Sequence, residues 1–140
     1  MAPQPQQAAK APVVIVVDDD RAVCNSLKFS LELEGFAVRT YGSGAALLDA
    51  ADFKDCACFV IDQRMPTMSG IELIAELRKR EISTPAILII SYPTAALTAR
   101  AAGGRIPIVE KPFLSDALIE KIREACRGDG FRQAARDVSA

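Results

Sequence analysis

The sequence has no histidine, and its four cysteines form no Cys-x-x-Cys pair. A zinc site is therefore poorly supplied. Neither sign of charge is in excess: 17 Lys and Arg stand against 18 Asp and Glu, for a formal net charge of −1 and a pI near 5.5. Such a chain offers no phosphate-seeking basic face, which argues against nucleic acid as a partner. No apolar run is long enough to span a bilayer, and Met1 to Pro12 lack the apolar core of a signal peptide. The expected setting is cytoplasmic, with no membrane partner.

What is present fits one domain: 140 residues, half of them apolar and a quarter charged, suffice for a real core. Cys24, Cys56, Cys58 and Cys126 are expected to be reduced and mostly buried. Cys56 and Cys58, one residue apart at the entry to a strand, should share a face. The chain is organised around Phe59-Val60-Ile61-Asp62-Gln63-Arg64-Met65-Pro66-Thr67-Met68-Ser69-Gly70. There an apolar run ends on a carboxylate, a loop with a proline follows, and Ser69-Gly70 opens a helix. This pattern delivers Asp62 to the carboxyl edge of a buried sheet, where open α/β folds place their ligands.

In chain order, residues 1–12, with three Gln and three Pro, read as a disordered tail. Val13 to Val17 is a strand buried on both faces and ends in Asp18-Asp19-Asp20. A helix from about Arg21 to Glu34 places Val23, Leu27 and Leu31 on one face and stops at Gly35. Phe36 to Tyr41 is a second strand, Ser43 caps a short helix, and Ala57 to Asp62 is a third strand. Ile71 to Arg80 is a third helix with Leu73, Ile74 and Leu77 inward, broken by Thr84-Pro85. Ala86 to Ile90 is a fourth strand, followed by Ser91. Thr94 to Ala102 is an alanine-rich, weakly apolar helix, ended by Gly103-Gly104. Ile106 to Val109 is a short fifth strand, placed at an edge by Pro107. Ser115 caps the last helix, Leu114 and Ile119 staple it, and Leu118, Ile119, Ile122 and Cys126 form its inner face. Residues 127–140 are expected to be a tail, partly ordered at most. The alternation predicts an α/β fold: a five-stranded parallel sheet in a flavodoxin-like, doubly wound (βα)5 sandwich of strand order 2-1-3-4-5.

That wiring gathers Asp18, Asp19 and Asp62 at one edge, with Ser91 after strand four and Lys111 after strand five. Two unit charges about 4 Å apart cost roughly 4 kcal/mol at an effective dielectric of 20. The cluster therefore needs a divalent cation or one protonated acid. Ligands that are oxygen only point to a hard ion, Mg2+ or Mn2+. A nucleophile (Asp62), a cation, a lysine and a hydroxyl would together bind a phosphoryl group on a carboxylate. Any one of these acids alone reads as a solvated loop residue; five correctly placed strand ends do not.

These residues, with the D-x-R-M-P-x-M-S-G run at 62–70, resemble the receiver domain of a two-component response regulator, over residues 13–126. The resemblance implies that Asp62 takes a phosphoryl group from the phosphohistidine of a histidine kinase or phosphotransfer protein. It implies that Asp19, Asp62 and the backbone carbonyl of Arg64 ligate Mg2+, with Asp18 acting through water. Ser91 matches the switch hydroxyl, and Lys111 the lysine before a proline that is cis in the family. No enzymatic activity is implied beyond transfer to, and hydrolysis from, the chain's own Asp62. A downstream protein would read the fourth helix, fifth strand and fifth helix.

The chain departs from the family at two positions. Tyr92, followed by Pro93, stands where a small residue is usual, and its ring is expected to cover the phosphorylation pocket. Ile108 stands where an aromatic switch residue is usual, so Tyr92 is a candidate to move in its place. A stand-alone regulator is expected, because the 14 residues after Cys126 cannot form a helix-turn-helix domain. A weak homodimer through the last helix is compatible with the sequence but not specified by it. Two other readings stand beside this one. A constitutive interaction module of the same fold is favoured by Tyr92 and Ile108 and opposed by the acids with Lys111. An aspartyl-phosphate phosphatase is suggested by Asp18-x-Asp20, which resembles the nucleophile motif of haloacid dehalogenase-like hydrolases. Gly128-Asp129-Gly130 offers only one acid for that family's second acidic loop. No Ser/Thr/Gly-rich phosphate loop follows the first strand, which opposes an electron-transfer flavodoxin.

Overall fold

The structure, a computed structural model, describes residues 11–50, 53, 55–111 and 116–127. Five strands, β1 (Val13–Val17), β2 (Ala37–Tyr41), β3 (Cys58–Asp62), β4 (Ala86–Ile90) and β5 (Ile108–Glu110), form one parallel sheet of order β2-β1-β3-β4-β5. The helices between them are α1 (Arg21–Leu33), α2 (Gly44–Asp49), α3 (Gly70–Lys79) and α4 (Ala95–Gly103), and residues 116–127 form α5. The predicted architecture and strand order are those observed. Every residue of β3 and β4 is buried, as unbroken apolar runs require when both faces of a sheet are covered.

Alternate residues of each strand feed two cores. Val14, Val16, Val60, Ile87 and Ile89 meet Leu27 and Leu31 of α1 and Leu118 and Ile122 of α5. Ile15, Val17, Phe59, Ile61 and Leu88 meet Leu47 of α2 and Leu73, Ile74 and Leu77 of α3. The inner face of α1 centres on Cys24, with Val23 half-buried at its margin.

Several expectations are corrected. Cys56 lies in one core and Cys58 in the other, because β3 begins only at Cys58 and strand alternation does not reach back to Cys56. Helix α3 is stopped by Glu81, left-handed at φ 63°, well before Pro85. Helix α4 runs through Gly103, and its left-handed terminal residue is Arg105 rather than either glycine. Pro12, assigned to the tail, already accepts the Ala37 amide at 2.9 Å, and residue 127 continues α5. β5 is shorter than predicted, although it does occupy an edge. The expectations for residues 1–10, Pro112, Leu114, Ser115 and 128–140 lie outside the described residues. Among the described residues no helix is long and apolar enough to cross a membrane.

Candidate functional site

β1 and β3 are neighbours, with Val17 opposite Ile61, so the residues that follow them emerge side by side at the carboxyl edge. Asp18, Asp19 and Asp62 each bring a carboxylate oxygen within 4.8 Å of the others; Asp18 and Asp62 are buried and Asp19 is exposed. The third acid of the run does different work. Asp20 accepts the Ala22 amide at 2.9 Å and caps α1, while its own N–H donates to Asp18 Oδ1 at 2.9 Å. Lys111 continues the ladder beyond β5, donating its amide to Ile90 O at 2.8 Å. Its Nζ lies 3.1 Å from Asp62 Oδ1 and 3.4 Å from Asp18 Oδ2.

One lysine cannot neutralise three carboxylates. Burial, reinforced by the charge of Asp18 and opposed by Lys111, pushes Asp62 up to about 6. Asp18 is raised too, chiefly by burial, against the Asp20 amide and Lys111. For Lys111, burial acts to lower the pKa, but the hydrogen bond and charge of Asp62, with those of Asp18, raise it on balance. A buried acid raised this far beside a second carboxylate is short of positive charge, and the all-oxygen donor set fits a hard divalent cation.

The loop after Asp62 is fixed from both sides. Gln63 donates its amide to Ile89 O at 2.9 Å, and its side-chain oxygen accepts the Ile71 amide at 2.9 Å. Ser69 and Glu72 form a capping box at the start of α3. Gly70 lets that helix approach the end of β3: a Cβ there would lie 2.7 Å from Asp62 O and 2.6 Å from Leu88 Cδ1. Thr67 takes φ 71° in the same loop.

Ser91 follows β4 on the surface and makes no hydrogen bond among the described residues. Its neighbour Tyr92 is 75% exposed, and the Arg64 guanidinium stands 5.9 Å from the ring centroid. Both line a cavity of about 350 Å³ with Gln63, Met65, Ser91 and Leu97. Pro93 is exposed beside it, and Ile108 is half-buried against the α3-side core. Sequence reading missed Gly70 as a close-approach residue, the Gln63 side chain and the Arg64–Tyr92 contact. The Ser69-Gly70 helix start was a signal for the first; nothing local announces the other two.

Comparison with known proteins agrees with this geometry. The family model of the response regulator receiver domain matches residues 14–123. The transcriptional regulatory protein FixJ of Azorhizobium caulinodans is 41% identical over 111 residues, 79% of this chain and 53% of that protein. The C4-dicarboxylate transport transcriptional regulatory protein DctD of Pseudomonas aeruginosa is 38% identical over 114 residues, 80% of this chain and 24% of that one. The crystal structure of FixJ-N superposes with a TM-score of 0.75 at 36% identity, covering 83% of this chain and 94% of that one. The chain spans about half the length, or less, of these curated relatives. It belongs to the receiver domain family of response regulators, signalling proteins that accept a phosphoryl group.

Proposed function

We propose that the unit at residues 13–126 accepts a phosphoryl group on Asp62 from a histidine kinase or phosphotransfer protein, in the cytoplasm, and signals by protein contact. The observation that carries this reading is the Lys111 ammonium bridging buried Asp62 and Asp18 beside Asp19. A carboxylate oxygen of Asp62 attacks phosphorus, the P–N bond of the phosphohistidine breaks, and the imidazole leaves and takes a proton from solvent. Asp19, Asp62 and the Arg64 carbonyl, with Asp18 through water, would hold Mg2+ (or Mn2+), which supplies charge neutralisation at the transferring oxygens. Lys111 stays charged and pairs with a phosphoryl oxygen. Hydrolysis of the acyl phosphate restores Asp62, so the chain acts only on itself.

Charge gives the switch its direction. Three aspartates, a divalent cation and Lys111 are neutral together, whereas an acyl phosphate dianion in place of the Asp62 charge leaves the cluster at −1. Ser91 moves inward to donate to the new oxygens, and the loop into α4 follows. A downstream protein then reads α4, β5 and α5. Tyr92 and Pro93 set access to the acceptor, and Ile108 leaves the β5 side of the switch without an aromatic ring.

Intact-mass spectrometry with Mg2+, using both acetyl phosphate and a phosphorylated histidine domain as donors, tests the reading. One added phosphoryl group is expected, absent in Asp62→Ala and in EDTA. No gain from either donor transfers the assignment to an interaction module that works without phosphorylation.

A further inference from the structure

Arg64 lies two residues beyond Asp62, in the loop from β3 to α3, and Tyr92 directly follows Ser91, in the loop from β4 to α4. Their contact, 5.9 Å from guanidinium carbon to ring centroid, joins the two loops that flank the acceptor. Arg64 is exposed and has no carboxylate partner among the described residues. Among the described residues three large apolar side chains are exposed: Phe29 and Leu33 stand on α1, and Tyr92 stands at the carboxyl edge. Neither partner is tied into a core, so the contact can break without disturbing the fold.

An exposed aromatic face is a weak partner for a guanidinium. A phosphoryl dianion is a strong one, because planar Arg meets two of its oxygens through charge-assisted hydrogen bonds. We propose that the Arg64 side chain, beside Lys111 and Ser91, also binds the phosphoryl group on Asp62, and that Tyr92 is the residue it releases in doing so. The inference rests on the function proposed above and identifies how the modified site is sensed. In the resting chain the guanidinium lies on the ring; after transfer it moves to the phosphoryl oxygens. The freed ring turns toward the cavity its own loop lines, where Met65 and half-buried Leu97 offer apolar surface. Pro93 restricts the Tyr92 backbone away from the helical region; the chain bends at Tyr92, and Thr94, the N-cap of α4, follows Pro93. A change at Tyr92 is thereby delivered to the start of that helix.

The test is NMR of the full chain with ring-labelled tyrosine, titrated with beryllofluoride in Mg2+ as a stable phosphoryl mimic. The chain has two tyrosines, and Tyr92→Phe assigns the signals. Loading is expected to shift the Tyr92 ring in the wild type, and Asp62→Asn to abolish the response without altering the resting signal. In Arg64→Ala the unloaded ring should already sit near its loaded position, and half-loading should need at least fivefold more beryllofluoride. Arg64→Lys, which keeps the charge but not the two-pronged geometry, should load more weakly than wild type and more tightly than Arg64→Ala. A ring that stays still while the wild type loads, or an Arg64→Ala variant that loads and shifts like wild type, overturns this inference alone. A wild type that loads with neither beryllofluoride nor a phosphodonor overturns the proposed function along with it.

Discussion

Helices α3 and α4 leave adjacent strands and each carries one side of the site, yet they are held very differently. α3 has a capping box and buries Gly70, Ile71, Leu73, Ile74 and Leu77. α4 is capped by Thr94 and buries Ala101 alone, with Leu97 half-buried. The proposed acceptor Asp62 precedes the first helix; Ser91 and Tyr92 precede the second. In the proposed function, the half that holds the reacting atoms is packed, and the half that responds is attached by little apolar surface. Local opening follows buried contact, so α4 should open far below the free energy of global unfolding.

Leu77→Ala against Leu97→Ala breaks or sharpens this contrast most. Leu77 is fully buried, and its truncation should cost about 4 kcal/mol in equilibrium denaturation. Half-buried Leu97 should cost about 1 kcal/mol or less by the same measurement. Equal costs would mean that α4 is as firmly packed as α3 and that the two halves do not differ.

The second prediction uses pH, because the strained acid lies on the packed side. The Asp62 carboxyl sits at about 6 in the folded chain against an ordinary value of 3.8. Between those values the native state binds more protons than the unfolded chain, so metal-free stability falls as pH rises from 4 to 6 and levels off above. The full difference is at most about 3 kcal/mol, and raised Asp18 acts in the same sense. Asp62→Asn should flatten this slope and be the more stable protein at pH 7.5. Amide exchange in α4, corrected for its intrinsic rate, should show no matching slope if that helix opens by itself.

Much of this was legible beforehand. Strands at Val13, Cys58 and Ala86 declare themselves because residues buried on both faces leave no polar alternation, and an aspartate closing such a run has few places to be except the sheet edge. Lys111 was found the same way. The division of labour within Asp18-Asp19-Asp20 was less visible, since any of the three could cap α1 until the backbone chose Asp20. The faces of Cys56 and Cys58 were misread because strand alternation was extended into a turn. The Arg64–Tyr92 contact was invisible because it joins two loops far apart in sequence, with no periodic pattern behind it.

The smallest effect concerns how the two helices end. The amides of Phe36, Ile82 and Ile106 reach back to Leu31, Leu77 and Ala101 carbonyls at 3.1, 3.0 and 2.8 Å, the same terminal motif closing α1, α3 and α4. Its left-handed position is Gly35 in α1 but Glu81 in α3 and Arg105 in α4, at φ 63° and 57°. A side chain there costs on the order of 1 kcal/mol, partly offset by the greater freedom glycine has when unfolded. Glu81→Gly and Arg105→Gly should each relieve about 0.5–1 kcal/mol, but the gain should appear in different measurements. On packed α3 it should raise the global denaturation midpoint. On α4, which opens before the rest unfolds, it should slow local amide exchange about two- to fivefold, because exchange there reports opening of that helix alone. If Arg105→Gly leaves α4 exchange unchanged while raising the global midpoint as much as Glu81→Gly does, α4 unfolds only with the whole sheet, and the distinction between a fixed and a responsive half is lost.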